Sequence, residues 1–279
     1  MDSSVEPAER SEDARYLFWS RYTAVQARNS EFETKAVSRR VVSCFRDLCD
    51  IVQPTLVLEL GAHEAGFSRW AKGKFPDARC LAFEANPHVY EMYRDRVEKD
   101  GVDYQHLAVA AENGTVTLNI PTEHRGKQRT LTNRMGSLAV HSRSSGSETV
   151  DVKSVRVDDF VSVGPDDRIV AWIDVEGASD QVLAGASKVL AATSAVFIEV
   201  ERKAMWEGQW LDLDVARYFE GLGKVPVIRD IERPHQYNVV FLDEQTAADE
   251  LASRRVARVL LPKRAEPAKQ RRRLIPRGR

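Results

Sequence analysis

From Thr55 to Asp243 the chain alternates short apolar runs with longer stretches whose apolar residues recur at helical spacing, and this rhythm constrains the fold most. The runs are "TLVLELG", "RCLAFEA", "YQHLAVAA", "RIVAWIDVEG" and "AVFIEVE", with helices predicted from about Glu64 to Lys74, Pro87 to Lys99, Asp180 to Leu190 and Leu213 to Leu222. Strands joined through helices run parallel. The last two runs, "KVPVIRDI" and "YNVVFLDE", are joined by "ERPHQ", which suits a hairpin and is too short for a helical crossover. The fold class is therefore α/β, with a mostly parallel sheet ending in an antiparallel pair.

Other segments decorate this core. Helices are predicted over Ser11 to Arg28 and Phe32 to Val52, the second with Phe32, Ala36, Val37, Val41, Phe45 and Leu48 on one face. Residues 114–160 hold "TVTLNI" and "TVDVKSVRV" around a long polar loop, an insertion expected to serve as lid or substrate wall. The domain reading is an N-terminal helical extension over 1–54, a main domain over 55–245, and a C-terminal helix with a basic tail over 246–279.

The 41 basic and 42 acidic residues nearly cancel, which removes any global electrostatic case for a nucleic-acid or membrane partner. The tail from Lys263 to Arg279 reads as a solvated segment; its alternative use is to engage nucleic-acid phosphates. Cys44, Cys49 and Cys80 have no zinc-type spacing and make no disulfide framework, which fits a reducing compartment. The N-terminus is acidic where a signal peptide is basic and then apolar, and no run reaches the roughly 18 apolar residues of a membrane span. A soluble, cytoplasmic chain is expected, and a homo-oligomer is left open.

At the end of the first strand, Gly61 permits a tight turn, and the small Ala62, Ala65 and Gly66 let the backbone approach a ligand. His63 stands where a dinucleotide motif has its second glycine, so a pyrophosphate site is disfavoured. Alone, such a turn is equally an ordinary strand-to-helix connection. Glu84 ends the next strand, roughly 20 residues on, where a carboxylate accepts ribose hydroxyls. The pair indicates a nucleoside without phosphates.

The chain reads "ELGAHEAGFS", "EANP" and "IDVEGASDQVLAGA", with "AVAAENGTVTL" between them and "GSL" at Gly136 to Leu138 in the insertion. In that order and spacing, over about Thr55 to Asp243, these segments resemble the S-adenosylmethionine-dependent methyltransferases of the FkbM type. His63 replaces the usual Asn, Ala65 the usual Gly, and Trp172 and Ser179 stand where the family often carries Lys and Glu. The resemblance implies a Rossmann-like class I methyltransferase fold: a mostly parallel seven-stranded sheet with an antiparallel last strand. It also implies S-adenosylmethionine as cofactor, with Glu59 near the methionine amino group and Gly61, Ala62 and His63 beneath it. Glu84 would hold the ribose, Ala85 and Asn86 edge the adenosine, Ala108 and Val109 line the adenine, and Ser137 approach from the insertion. Without the resemblance, Ala108 and Val109 read as plain core.

Methyl transfer to a hydroxyl needs positioning and a base or a metal ion. Asp174 and Glu176 end a parallel strand on one side, which makes Asp174 the first candidate base. His141 and His235 rank below it, each also readable as a loop residue. Asp174, Glu199 and Glu201 are a candidate Mg2+ set, although no spacing here is specific for a metal. Trp206 and Trp210 are either sugar-stacking aromatics or packing anchors. The family resemblance implies an O-methyltransferase acting on a hydroxyl of a carbohydrate or a glycosylated or polyketide-type metabolite. N- or C-methylation of a small metabolite is the alternative.

Overall fold

The computed structural model describes residues 16, 19–20, 34–142, 144–230 and 235–260. Helix α1, Thr34–Val52, buries Val37, Val41, Phe45, Leu48 and Val52 at helical spacing. It leads into β1, Leu56–Leu60. There follow α2 (Gly66–Lys74), β2 (Arg79–Phe83), α3 (Pro87–Lys99), β3 (Asp103–Gln105) and β4 (Ala108–Val109). The insertion supplies β5 (Gly114–His124), β6 (Lys127–Gln128) and β7 (Ser144–Val155), then a single turn of helix, α4 (Val157–Phe160). The alternation resumes with β8 (Ile169–Ile173), α5 (Ser179–Gly185), α6 (Ser187–Ala191), β9 (Thr193–Glu201) and α7 (Asp212–Gly221). The described chain closes with β10 (Lys224–Arg229), β11 (Gln236–Asp243), α8 (Glu244–Ala248) and α9 (Glu250–Leu260).

Seven strands form the main sheet in the order β10-β11-β9-β8-β1-β2-β3, and β11 alone runs antiparallel to its neighbours. This is the α/β, Rossmann-like architecture expected. Every residue of β1 is buried because helices cover both faces, which is why a central parallel strand reads as a continuous apolar run. Alternation sends Val57, Val170, Phe197 and Val240 into a core under α1, α2 and α9. It sends Leu58, Leu60, Ile173 and Ile198 into a second core under α5, α6 and α7.

Several expected boundaries shift. "YQHLAVAA" is two strands, because after Gln105 the chain leaves the main sheet and β4 pairs with β7 instead. The helix expected over Asp180 to Leu190 is broken at Ala186, whose φ of −122° is not helical. The polar segment Ser144 to Glu148 is strand rather than loop, since its register with β5 continues past the apolar residues. Of the helix expected over Ser11 to Arg28, only Tyr16, Trp19 and Ser20 are described, and the tail from Lys263 onward lies outside the described residues. Tyr16 packs in the second core with its hydroxyl 2.8 Å from that of Tyr237. The helix α9 lies along α1, where Arg40 donates to the Arg258 carbonyl at 2.8 Å. Among the described residues, no helix is long and apolar enough to cross a membrane.

Phe45 is the pin between α1 and the sheet. It is fully buried, with ring centroids of Phe67, Phe197 and Trp172 at 5.4, 5.5 and 6.0 Å. Phe45→Ala is expected to cost about 3–5 kcal/mol in chemical denaturation, a cavity-forming loss. A cost under about 1 kcal/mol would show that α1 is not anchored there.

Candidate functional site

The order of the sheet reverses at β1, which has β2 on one side and β8 on the other, so a crevice opens beyond its C-terminal end. Backbone hydrogen bonds fix that end. The Gly61 and Ala62 amides donate to the Phe83 carbonyl at 3.1 and 2.9 Å, and the Asp174 amide donates to the Leu60 carbonyl at 3.0 Å. Gly61 has φ of 76°, and a Cβ there would lie 2.0 Å from the Asp174 carbonyl oxygen, so no side chain is admissible. His63 and Ala65 are also left-handed, at φ of 46° and 49°. That region favours Gly and Asn, which explains why these are the motif's usual residues at the two departures. Here hydrogen bonds from the Ala65 amide to the Ala62 carbonyl, at 2.7 Å, and from the His63 amide to Glu84, also at 2.7 Å, hold the turn.

Two buried carboxylates organise the floor. Glu59, on β1, accepts the Phe67 and Ser68 amides at 3.1 and 2.7 Å and so fastens the start of α2. Burial outweighs these donors and lifts its carboxyl to about 7. Glu84 accepts the His63 amide on one oxygen and the Asn86 amide on the other, each at 2.7 Å, and burial likewise raises it. Asn86 caps α3 by accepting the His88 amide at 3.0 Å, while its own amide group donates to the Leu131 carbonyl at 2.7 Å.

The third group lies past the ends of β8 and β9, where oxygens of Asp174, Glu176 and Glu199 come within 4.8 Å of one another. Burial raises all three, Glu176 and Glu199 well above the usual range, and Asp174's charge raises both of these further. Arg134 and His63 partly offset the burial of Asp174. Gln236 donates to Glu199 at 3.0 Å. Among the described residues this is the one carboxylate group spaced to share a cation. Of the expected Mg2+ set, Asp174 and Glu199 belong to this group and Glu201 does not. Glu201 sits opposite Gln236 in the β9–β11 register, buried and outside the cavity wall, with its carboxyl raised to about 7 by burial.

One cavity of about 470 Å³ joins all of these. Phe83, Leu107, Ala108, Val109 and Leu118 give it an apolar slot, and Asp174, Glu176, Glu199 and Gln236 also line it. Glu59, Gly61, Ala62, His63, Glu84, Ala85 and Asn86 lie along the wall between sheet and loops. The connection between β5 and β7 brings Asn133, Arg134, Gly136, Ser137 and Leu138 over it. Ser137 ties that connection to the sheet: its hydroxyl donates to the Glu176 carbonyl, and its backbone pairs with Asn119.

Two predicted residues lie elsewhere. His141 is buried between His124 and Trp206, with ring centroids at 4.8 and 5.0 Å, and His235 offers its carbonyl to the Arg202 amide at 2.8 Å at the start of β11. Neither lines the cavity. Trp206 is buried against Gly177, where a Cβ would meet the indole at 2.4 Å, and Trp210 packs beside Tyr218 with centroids 6.0 Å apart. Both tryptophans are packing anchors. Sequence reasoning missed Arg46, from α1, and Arg134, which binds both oxygens of Glu64 at 2.5–2.6 Å. Neither lies in a strand-end motif, so no local signal marked them.

Comparison with known proteins places the chain in a family. The chain is similar to the 2-O-methyltransferase NoeI of Sinorhizobium fredii, at 24% identity over 234 residues, covering 77% of this chain and 94% of that protein. It is similar to the methyltransferase sdnD of Sordaria araneosa, at 26% identity over 182 residues, covering 56% and 70%. Among solved structures, methyltransferase FkbM from Methylobacillus flagellatus KT aligns with a TM-score of 0.45 and 10% identity, over 68% of this chain; the chain spans 44% of that one. The family model described as the methyltransferase FkbM domain matches residues 51–226, more than half of the chain, and the chain therefore belongs to the FkbM-domain methyltransferases.

Proposed function

We propose that the chain is an S-adenosylmethionine-dependent O-methyltransferase whose acceptor is a hydroxyl of a carbohydrate or a glycosylated or polyketide-type metabolite. One observation carries this reading: a single cavity runs from the apolar slot at Ala108 and Val109, past Glu84, to the three carboxylates beyond β8 and β9. The similarity to a 2-O-methyltransferase supports transfer to oxygen.

The residues present suit such a cofactor. The apolar slot accepts a purine face, and each oxygen of Glu84 keeps a lone pair for a ribose hydroxyl after accepting one amide. Gly61 and Ala62 leave room for the chain of the ligand, and Glu59 offers a carboxylate to its ammonium. When bound, the cofactor supplies a methyl group on a sulfonium. The protein has to hold the acceptor oxygen in line with that methyl and take its proton as the new C–O bond forms and the S–C bond breaks. Asp174 is the proposed base, and Glu176 and Glu199 pass the proton on, since three crowded carboxylates hold at least one proton between them. A divalent cation would occupy the same three oxygens.

Glu84→Gln is expected to weaken S-adenosylhomocysteine binding about 10- to 100-fold by calorimetry, as a charge-assisted pair is lost. Unchanged affinity would refute this placement of the ribose. Asp174→Asn is expected to lower turnover at least about 100-fold, a general-base loss, with cofactor affinity held. A near-normal rate would move the base to Glu176 or Glu199. Because the base must be ionised and burial raises Asp174, kcat is expected to fall as pH is lowered through a value above the ordinary carboxylate range. A profile flat down to the ordinary aspartate value of about 4 would exclude Asp174 as the base. Turnover that survives a chelator assigns these carboxylates to proton transfer alone, and a panel of acceptors methylated only at nitrogen would overturn the O-methyl reading.

A further inference from the structure

The cavity wall carries an imbalance of charge. Its carboxylates are Glu59, Glu64, Glu84 and the three of the cluster, against the guanidinium groups of Arg46 and Arg134. Arg134 is already committed to both oxygens of Glu64. Arg46 is not committed. Its Nε is buried with no hydrogen-bond partner, and among the described residues the group makes no ion pair. Its guanidinium carbon lies 4.9 Å over the Trp70 ring, a cation–π contact that occupies the flat face and leaves the N–H edge unused. A buried donor left unpaired costs about 1–3 kcal/mol, so such a group is satisfied by something that arrives.

Its place in the cavity says what arrives. Arg46 follows Phe45, whose ring packs on Phe67, and the Phe67 amide donates to Glu59. Phe67 in turn stacks on Trp70 with centroids 5.6 Å apart, so Arg46 and Glu59 belong to the wall around the start of α2, with Gly66 and Phe67. The apolar slot at Ala108 and Val109 is built from other elements. A ligand lying along this wall therefore needs an anion near Arg46 and a cation near Glu59, which is an α-amino acid terminus. We propose that Arg46 anchors the α-carboxylate of the cofactor's amino-acid end by a charge-assisted, bidentate pair. This rests on the cofactor reading above and extends it to a residue of the helix that precedes the sheet.

The test uses three ligands and the full chain. S-adenosylhomocysteine carries the carboxylate, decarboxylated S-adenosylhomocysteine lacks only that group, and 5′-methylthioadenosine lacks the whole amino-acid end. In Arg46→Gln, calorimetric affinity for S-adenosylhomocysteine is expected to fall about 10- to 100-fold, the usual range for such a bond. Affinity for the other two is expected to stay within about 3-fold of the parent. Arg46→Lys, which keeps the charge and loses the fork, is expected to fall between. Thermal melts of both variants check folding, and Glu84→Gln, which should weaken all three ligands alike, separates loss of the ribose from loss of the carboxylate. An equal drop for all three in Arg46→Gln, or no drop for any, would overturn the proposal. So would unchanged cofactor affinity together with a raised KM confined to acceptors that carry an anionic group, because Arg46 would then serve the acceptor. If the parent binds none of the three, the cofactor reading itself fails and the proposal falls with it.

Discussion

The turns that follow β1 and β2 meet on one buried carboxylate. Glu84 takes the His63 amide on one oxygen and the Asn86 amide on the other, and Asn86 in turn caps α3 and holds the Leu131 carbonyl of the β5–β7 connection. A single side chain thus ties the two turns together and, through Asn86, ties them to the β5–β7 connection. Burial makes this contact demanding, since each amide it satisfies would otherwise be an orphan donor worth about 1–3 kcal/mol. The left-handed residues His63 and Ala65 stay in a conformation that their side chains disfavour because Glu84 and the Ala62 carbonyl hold the turn on both sides.

The sheet was legible because its signal is hydrophobic and periodic. β1 and β8 are buried on both faces and read as unbroken apolar runs, and the five residues between the last strands limited them to an antiparallel pair. The insertion was harder. β7 alternates exposure along its length, and residues such as Ser144 and Ser147 are strand only because β5 pairs with them. Pairing of that kind is a tertiary fact that polar residues do not announce. The division of "YQHLAVAA" has the same origin: Ala108 and Val109 are buried as a strand should be, but by β7 rather than by β2.

The site was legible where its residues sit at strand ends and obscure elsewhere. Glu84 and Asp174 directly follow β2 and β8, and Glu59 lies one residue before the end of β1, so one topological rule about strand ends reaches all of them. Strand periodicity does not choose among Glu176, Glu199 and Glu201, since which oxygens meet that of Asp174 is a tertiary fact, and those that do are on Glu176 and Glu199. Histidine's chemistry drew attention to His141, which the fold instead packs among aromatic rings. Arg46 shows the converse. It follows Phe45 on a helix whose apolar face carries the periodic signal, so nothing in the local pattern separates it from the solvated arginines near it.

The excess of carboxylates in the wall also bears on the end of the catalytic cycle. On the proposed reading, a ligand that enters as a sulfonium leaves as a neutral thioether, with one positive charge fewer. A unit charge about 4 Å from a carboxylate is worth about 4 kcal/mol at an effective dielectric of 20, and several carboxylates face this cavity. Transfer therefore weakens the hold of the wall on its own product. The same acidic lining that draws the charged donor in favours its exchange once the methyl group has gone.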